Sequence, residues 1–456
     1  MTRKFVTPDY AAVLRQTISL DEALPADHLA RFVVEIIAQL DLTAIYRRFA
    51  ATGGEAFAPE ILLAILFYGY ATGVFSSRRQ ERATYESLPF RYVASGTHPD
   101  HDTLAHFRQA FLPELAELFV QILLLARAAG VLQLGAISLD GSKIHADASK
   151  SKAVSYKHLG ELEARLREEV HQFLALGEQV EHGERPLPEG LVIQDEVARR
   201  QDRLANLTKA KAVLEARARE RYTQEQAAYE AKLREREAQA ERTGRKPRGR
   251  HPRPPEPGPR AKDQYNFTDP ESRIMKNSAN SGFDQHYNGQ VAVDQASFLT
   301  VAYSLSNHPN DKAEAEPTLA ALSPALGTPA AGAADCGFWS DPNRHAFEQR
   351  GIEPYIATGR EPHSKSWAAF FAEQSVPPAE DARPIVKMAY KLQTEIGQAI
   401  YRLRKCTVEP VIGIIKEVLG FRQFSLRGLA AAAGEWGLVC LAFNLKRLHV
   451  LMAAGV

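Results

Sequence analysis

Two stretches with strand character are separated in this sequence by a long segment that lacks it. Ala136–Asp140 is a short apolar run that ends in Asp-Gly, Lys143–Asp147 alternates, and strand signals return only at Tyr287–Asp294. Residues 156–241 between them are rich in Glu, Arg, Ala, Lys and Gln, residues that favour helices. The chain is therefore expected to build a strand-containing domain with a helical insertion.

The insertion carries two apolar stripes at helical spacing. A charged linker, residues 183–190, contains Gly and Pro and breaks the helix between them. This pattern predicts an antiparallel helical hairpin, of which a coiled coil is one form. Residues 243–260 that follow are too rich in Pro, Gly and charge to bury a core, and we expect them to be flexible. The stripes are Leu159, Leu162, Leu166, Val170, Phe173 and Leu174, and Val197, Leu204, Leu207, Val213 and Leu214.

The remaining strand signals predict an α/β fold, a mixed sheet flanked by helices. Asp140-Gly141 favours a two-residue turn, so the first stretch is expected to form a hairpin. Tyr287–Asp294 and Leu299–Leu305 predict a second hairpin. A helix, a strand ending at Asp335, a strand at Gly351–Ala357 and a helical remainder from about residue 387 follow, an order typical of helices packed on a sheet.

Residues from about 20 to 130 predict an all-α N-terminal domain with one basic region. Apolar residues recur at helical intervals, and Pro59 opens a strongly apolar helix. The region contains Arg78 and Arg79, together with Arg82 and Arg91. Two interpretations stay open for it, a solvated helix face and a DNA contact.

Composition limits the classes of function. The 456 residues suffice for two or three domains, and a net charge of +1 means that any nucleic-acid binding must come from local patches. Three dispersed cysteines support neither a zinc ribbon nor a disulfide framework, which favours a reducing, intracellular setting. The apolar runs at 61–70 and 118–130 are too short to span a bilayer, and no phosphate-binding Gly-x-x-x-x-Gly-Lys loop is present.

Three acids are candidates for a metal site: Asp140, Asp335 and Glu409. The first two end predicted strands, and the third lies in a helix able to cover the sheet near both. Magnesium prefers carboxylate oxygens, and two such ions can activate a nucleophile and stabilise a leaving oxygen in phosphoryl transfer. Taken singly, each acid is more typical of a turn or a surface helix, so the hypothesis depends on the set.

Glu409 stands in a basic helical segment. Pro410 follows it, which predicts a kink or a first turn with Thr407 as cap, or simply a helix that starts at Pro410. Lys416 is seven residues on and therefore shares a face with Glu409. Clustered cations of this kind suit phosphate contacts, and the candidates are Arg402, Arg404, Lys405, Lys416, Arg422 and Arg427.

Four blocks of this sequence resemble those of bacterial insertion-sequence transposases of the DDE class. They are Ser138–Lys143, Gly282–Asp294, Ala334–Trp339, and Thr407–Lys416 continued by Gly420–Gly428, the last being the most specific. The helical N-terminal part is similar to the domain that often precedes the catalytic domain in that family. The helical insertion belongs to some relatives only.

The resemblance implies an RNase H-like catalytic domain that cuts and joins DNA with Mg²⁺, for which Mn²⁺ substitutes. Asp140, Asp335 and Glu409 match the three metal-binding acids, and Lys416 matches a lysine that contacts the phosphates of the transposon end. The family's tyrosine and arginine would stand at 402 and 405, where this chain has Arg402 and Lys405. Tyr401 and Arg404 lie one residue earlier.

The implied partners are double-stranded DNA, both transposon ends and target, and a second copy of the chain on DNA, with no membrane. The implied location is the cytoplasm, in association with the nucleoid. The expected domains are residues 1–132 for DNA binding or dimerisation, 133–155 with 263–456 for catalysis, and 156–262 for the insertion. Two alternatives are a metal-dependent nuclease that never joins strands and an inactive DNA-binding or scaffold relative. His145 and Asp147 are weaker candidates for a supporting role in the site.

Overall fold

The chain divides into two compact units in the computed structural model, which describes residues 17–49, 56–245, 249–277, 282–359 and 377–454. The first unit comprises residues 1–147 and 286–456, and the second comprises residues 148–285. The predicted boundary at residue 132 falls inside the first unit, and the division into DNA-binding and catalytic parts stays a prediction. Residues 1–16 of the expected N-terminal domain and 246–248 of the Pro/Gly-rich segment lie outside the described residues.

The N-terminal part of the first unit is helical, as predicted. The helix Pro59–Ala71 is apolar on every side and almost completely buried, which is typical of the central helix of a core. Pro59 occupies its first turn, where no backbone donor is needed. In chain order the helices are α1 (Leu20–Ala23), α2 (Leu29–Ile37), α3 (Thr43–Tyr46), α4 (Pro59–Ala71), α5 (Ser77–Glu86), α6 (Leu88–Val93), α7 (His101–Ala110) and α8 (Leu112–Ala128).

The second unit is built on the predicted helical hairpin. Its helices pack through Leu159, Leu162 and Leu166 on one side and Leu207 and Leu214 on the other, members of the two predicted stripes. Two short strands, Ala153–Ser155 and Gln264–Asn266, pair antiparallel at the base of the hairpin. The first strand of the chain, β1 (Ala136–His145), belongs to the first unit. The elements of the second unit are β2 (Ala153–Ser155), α9 (Tyr156–Glu181), α10 (Ile193–Thr243), β3 (Gln264–Asn266) and β4 (Arg273–Lys276).

Part of the Pro/Gly-rich segment lies along α10. Arg221 Nη2 donates to the Gly258 carbonyl at 2.9 Å, and Arg260 pairs with Glu225 at 2.9 Å. These contacts attach residues 258–260 to α10 through arginine side chains.

The sheet of the first unit has the mixed topology expected of an RNase H-like fold. In the order β6–β5–β1–β7–β8, the first three strands are antiparallel neighbours, and β7 and β8 run parallel to β1. The predicted hairpin at 287–305 and the strands at 331–335 and 351–357 are confirmed. Their bounds are β5 (Phe283–Asp294), β6 (Thr300–Ser306), β7 (Ala331–Ala334) and β8 (Glu353–Ile356).

The predicted hairpin at Asp140-Gly141 is wrong, because β1 runs straight through it. Nine consecutive residues from Ile137 to His145 pair in register with β5. Gly141 serves a different purpose: a Cβ at this position would stand 2.3 Å from Gln290 Nε2 on the opposite strand. The glycine therefore permits a close approach of a neighbouring side chain.

Helices follow β6, β7 and β8. They are α11 (Ala315–Ala320), α12 (Asp341–Gln349), α13 (Pro384–Lys391), α14 (Glu395–Gly413) and α15 (Leu429–Ala453), and a π-helical turn, Ile414–Val418, continues α14. The last helix packs on β6, α4 and α8. This helix is long and apolar enough to cross a bilayer, but 67% of its most apolar 18-residue stretch is buried inside the protein. The bent pair α7 and α8 would together also be long and apolar enough. A core helix passes the same test.

Candidate metal centre

Two neighbouring parallel strands bring Asp140 and Asp335 to the same end of the sheet. The ladder between β1 and β7 ends with the pair Leu139 and Ala334, and each acid is the next residue along the chain. A backbone amide orients each carboxylate: Gly141 N donates to Asp140 Oδ1, and Gly337 N donates to Asp335 Oδ1, both at 2.8 Å. The two carboxylates thus start from adjacent backbone positions.

Glu409 comes to the same place from the helix that covers β1. It lies inside α14, whose N-cap is Thr394, and Pro410 is likewise within the helix. The alternatives that put Glu409 in a first turn, or the helix start at Pro410, are therefore wrong. Thr407 is not a cap either, since its Oγ1 lies 2.9 Å from Ser138 Oγ and fastens α14 to β1.

Arg404 connects the acid of the strand with the acid of the helix. Its Nη1 donates to Asp140 Oδ2 at 3.2 Å, and its Nη2 donates to Glu409 Oε1 at 3.1 Å. Arg404 is only 5% exposed, and its Nε has no hydrogen-bond partner within the described residues. This arginine, which the sequence placed among the candidate DNA contacts, faces the acids and not the surface.

The electrostatics of the site centre on Asp140. Burial raises the pKa of Asp140 to about 7, and the charges of Asp335 and Glu409 add to the rise, whereas Arg404 and the Gly141 amide oppose it. A buried carboxyl beside two other carboxylates favours its neutral form unless a cation compensates. Asp335 and Glu409 are thus both near enough to Asp140 to affect its pKa.

The donor set suits a hard divalent cation, although the arrangement is not a preformed cage. All three candidates offer carboxylate oxygens, the ligands that Mg²⁺ and Mn²⁺ prefer. In the part of the chain that the structure describes, no three Asp, Glu, His or Cys side chains are grouped closely enough to hold a metal ion. The Arg404 guanidinium instead supplies positive charge between Asp140 and Glu409, which is chemical evidence that the position favours a cation.

Lys416 reaches the same strand from the π-helical turn. Its Nζ donates to Ser142 Oγ at 3.0 Å and to the Lys143 carbonyl at 3.2 Å. Burial lowers the pKa of Lys416. Ser142 is two residues from Asp140 on β1, so Lys416 and Glu409 both approach the face of the strand that carries Asp140.

The other predicted cations lie in several parts of the first unit. Arg422 pairs with Glu417, and Arg427 pairs with Asp147 Oδ2 at 2.8 Å. Arg402 and Lys405 are exposed on α14 and line, with Tyr401, a cavity of about 450 Å³ beside the residues that follow β8. Arg78 and Arg79 are exposed on α5, in the N-terminal part of the same unit.

Two weaker candidates, His145 and Asp147, and one residue that was not predicted, Gln290, lie on or near β1. The ring of His145 lies 4.3 Å from that of His286, and Asp147 is held by Arg427, so both mark the end of β1 and not the acid centre. Gln290 was not predicted, yet it is buried directly opposite Gly141. The signal was available: Asn288 and Gln290 are polar residues two apart in the predicted strand, next to the apolar run Val291–Val293.

The mixed sheet flanked by helices is consistent with an RNase H-like catalytic domain. Residues 18–110 match the family described as Transposase domain (DUF772), and residues 379–449 match Transposase DDE domain. Both matches support an insertion-sequence transposase of the DDE type. The second match includes Glu409 and Lys416 but neither aspartate. Comparisons with curated proteins and with solved structures gave no match.

Proposed function

We propose that the chain binds the terminal inverted repeats of an insertion sequence, cuts the DNA at these ends and joins them to target DNA. The observation that carries the proposal is that Arg404 links Asp140 to Glu409, while Asp335 follows the strand that pairs with the Asp140 strand. Such an enzyme acts where the chromosome is, in the bacterial cytoplasm at the nucleoid. It would hold both ends together, which favours a homodimer on double-stranded DNA.

Asp140, Asp335 and Glu409 are the residues that would hold Mg²⁺, or Mn²⁺ in its place. Divalent ions bound there supply charge stabilisation for the attacking and leaving oxygens of the phosphoryl transfer. The chain's own contribution is to present the carboxylates from three separate elements that pack on one another. The hydrogen bond between Thr407 Oγ1 and Ser138 Oγ attaches α14, the helix that carries Glu409, to β1.

The cations around the centre are suited to DNA phosphates. Arg402 and Lys405 are exposed on the helix that carries Glu409, and Lys416 binds β1 two residues beyond Asp140. Arg422 and Arg427 are exposed in the segment that follows this helix. Phosphate contacts position the DNA without reading its sequence. We assign recognition of the repeat to the N-terminal helices, in which Arg78 and Arg79 lie on the exposed side of α5.

The direct test compares two aspartates six positions apart. Asp335→Asn removes a proposed metal-binding charge, whereas Asp341→Asn changes an acid that is 70% exposed at the start of α12. With an end-DNA substrate and Mg²⁺, we expect Asp335→Asn to lose more than about 100-fold in cleavage, beyond the loss typical of residues that only support a metal ligand. End-DNA binding should stay unchanged, and Asp341→Asn should cleave like the wild type.

Cleavage by Asp335→Asn at the wild-type rate would reject the assignment. A second assay supplies pre-cut ends and a target plasmid. Joined product supports a transposase, and cleavage without any joined product would instead identify a nuclease.

A further inference from the structure

The ladder between β1 and β7 stops one residue before the two aspartates, so strand pairing alone does not fix their separation. Asp335 leaves the sheet and begins the short 3₁₀ turn Cys336–Phe338. Beyond Leu139, β1 continues with β5 as its paired neighbour. The turn that carries Asp335 therefore needs another attachment to the strands that carry Asp140.

Asp311 is anchored to the strand beside β1. Its Oδ1 accepts hydrogen bonds from Asn288 Nδ2 at 2.8 Å and from Gln290 Nε2 at 2.7 Å. Both donors are almost fully buried on β5, two residues apart and hence on one face of the sheet. Two buried amide donors on one oxygen define the orientation of the Asp311 carboxylate.

The anchoring side chain of Gln290 lies against the residue that follows Asp140. Gln290 pairs with Gly141 across the two strands, and a methyl group on Gly141 would stand 2.3 Å from Gln290 Nε2 and 2.6 Å from its Oε1. The anchor of Asp311 is thus in contact with the segment of β1 that holds Asp140.

Asp311 also contacts the turn that carries Asp335. A methyl group on Gly337 would stand 3.0 Å from Asp335 Oδ1 and 3.5 Å from Asp311 Oδ2, so the two carboxylates flank one point. The fully buried Asn343 donates from Nδ2 to the Asp311 carbonyl at 3.0 Å and to the Phe338 carbonyl at 2.9 Å. The Asp311 side chain therefore lies beside this turn, and its backbone is linked to the turn through Asn343.

We propose that Asp311 is a positioning residue that sets the separation of Asp335 from Asp140 by attaching the Asp335 turn to β5. The inference rests on the proposed function, because it assigns Asp311 a role in the same site. It acts through hydrogen bonds accepted by Oδ1, and an amide oxygen can accept the same bonds.

The experiment compares Asp311→Ala with Asp311→Asn. Asp311→Ala removes the acceptor, and misplacement of a reacting group by about 1 Å costs roughly 100-fold in rate, so we expect a 10- to 100-fold fall in kcat for end cleavage. The half-saturating Mg²⁺ concentration should rise, while the Kd for end DNA stays unchanged. Asp311→Asn retains an oxygen acceptor and should recover most of the wild-type rate and metal dependence.

The proposal would be overturned if Asp311→Ala cleaved end DNA like the wild type. It would also be overturned if Asp311→Asn were as defective as Asp311→Ala, because the negative charge of Asp311 would then be what matters. Asn288→Leu, which leaves Asp311 with one amide donor, provides a milder variant if the alanine protein fails to fold, and an unchanged rate there also counts against the proposal. Glu316→Ala, on the exposed side of α11, is the matched control. Loss of cleavage in Asp335→Asn with normal cleavage in Asp311→Ala rejects this inference alone.

Discussion

Arg404 and Asp140 form an ion pair at the centre of the proposed site, with Nη1 of the arginine 3.2 Å from Oδ2 of the aspartate. The same guanidinium reaches Glu409 at 3.1 Å. The Arg404 guanidinium therefore compensates the negative charge of both Asp140 and Glu409. A divalent cation bound by these two acids would compensate part of the same charge. Competition between Arg404 and metal for the same oxygens follows from this geometry.

Replacement of Arg404 by glutamine should make the protein less stable without metal and more responsive to it. Without the guanidinium, Asp140 and Glu409 lose their cation. The loss in free energy of unfolding should stay below the about 3–5 kcal/mol of a fully buried broken pair, because Glu409 is half exposed. Since ligands stabilise the state that binds them, Mg²⁺ should raise the unfolding temperature more in Arg404→Gln than in the wild type.

The control for this measurement is Arg402→Gln, which changes an exposed arginine two residues earlier on α14. Its unfolding temperature and its response to Mg²⁺ should match the wild type. Equal Mg²⁺ shifts in Arg404→Gln and the wild type would contradict competition between the guanidinium and the metal.

The pKa of Asp140 predicts how stability without metal depends on pH. Burial raises this pKa from 3.8 to about 7, so between these values the folded protein keeps a proton that the unfolded chain has released. The contribution of Asp140 to stability therefore falls as the pH rises through that window. Urea unfolding in EDTA at pH 5 and pH 8 should show a larger decrease for the wild type than for Asp140→Asn. Identical decreases would remove Asp140 as the cause.

The elements that the sequence predicted well are those defined by a long periodic signal. The leucine stripes of the helical hairpin pack against each other as expected, and the apolar strands at 287–305 and 331–335 lie where their composition put them. The three acids could be proposed because Asp335 directly follows an apolar strand and Asp140 follows the apolar run of β1, although β1 itself continues to His145. Their meeting depends on the sheet order, which no local pattern contains.

The failures come from local signals that tertiary contacts overrode. Asp140-Gly141 has turn chemistry, but the continuous register with β5 and the fit of Gln290 over Gly141 keep β1 extended. Arg404 could not be separated from its neighbours by charge alone. Its spacing to Val408, Val411 and Ile415, all buried, is the helical signal that would have placed it on the inner face of α14.

The exposed arginines of α5 should contribute to DNA affinity without changing the chemistry. Each phosphate contact that is lost lowers the slope of log affinity against log salt concentration by about 1. The double variant Arg78→Ala and Arg79→Ala should thus bind end DNA more weakly with a salt slope reduced by about 2. Fluorescence anisotropy at several salt concentrations measures this, with Arg47→Ala, an exposed arginine beyond α3, as the control. An unchanged slope would favour the solvated-face interpretation of α5.

A buried carboxylate should be critical for the stability of the first unit. Glu435 on α15 is fully buried; its Oε1 accepts from Tyr70 of α4 at 2.9 Å, and its Oε2 accepts from the backbone amides of Ser425 and Leu426 at 2.8 and 3.0 Å. Arg108 lies 3.7 Å away as its partner in charge. Glu435→Gln replaces one carboxylate oxygen by an amide NH₂ group, which then faces other hydrogen-bond donors, and leaves the positive charge of Arg108 without its partner. The free energy of unfolding should therefore fall by about 3 kcal/mol.

Urea unfolding monitored by circular dichroism tests the role of Glu435, with Glu117→Gln as the matched substitution on an exposed part of α8. A surface change of this kind should stay within about 0.5 kcal/mol of the wild type. Because the Glu435 carboxylate holds residues 425 and 426 beside the end of β1, where Phe424 N donates to the His145 carbonyl, the variant should also expose this segment to proteolysis. Wild-type stability in Glu435→Gln would mean that the buried carboxylate is dispensable for joining the N-terminal helices to α15.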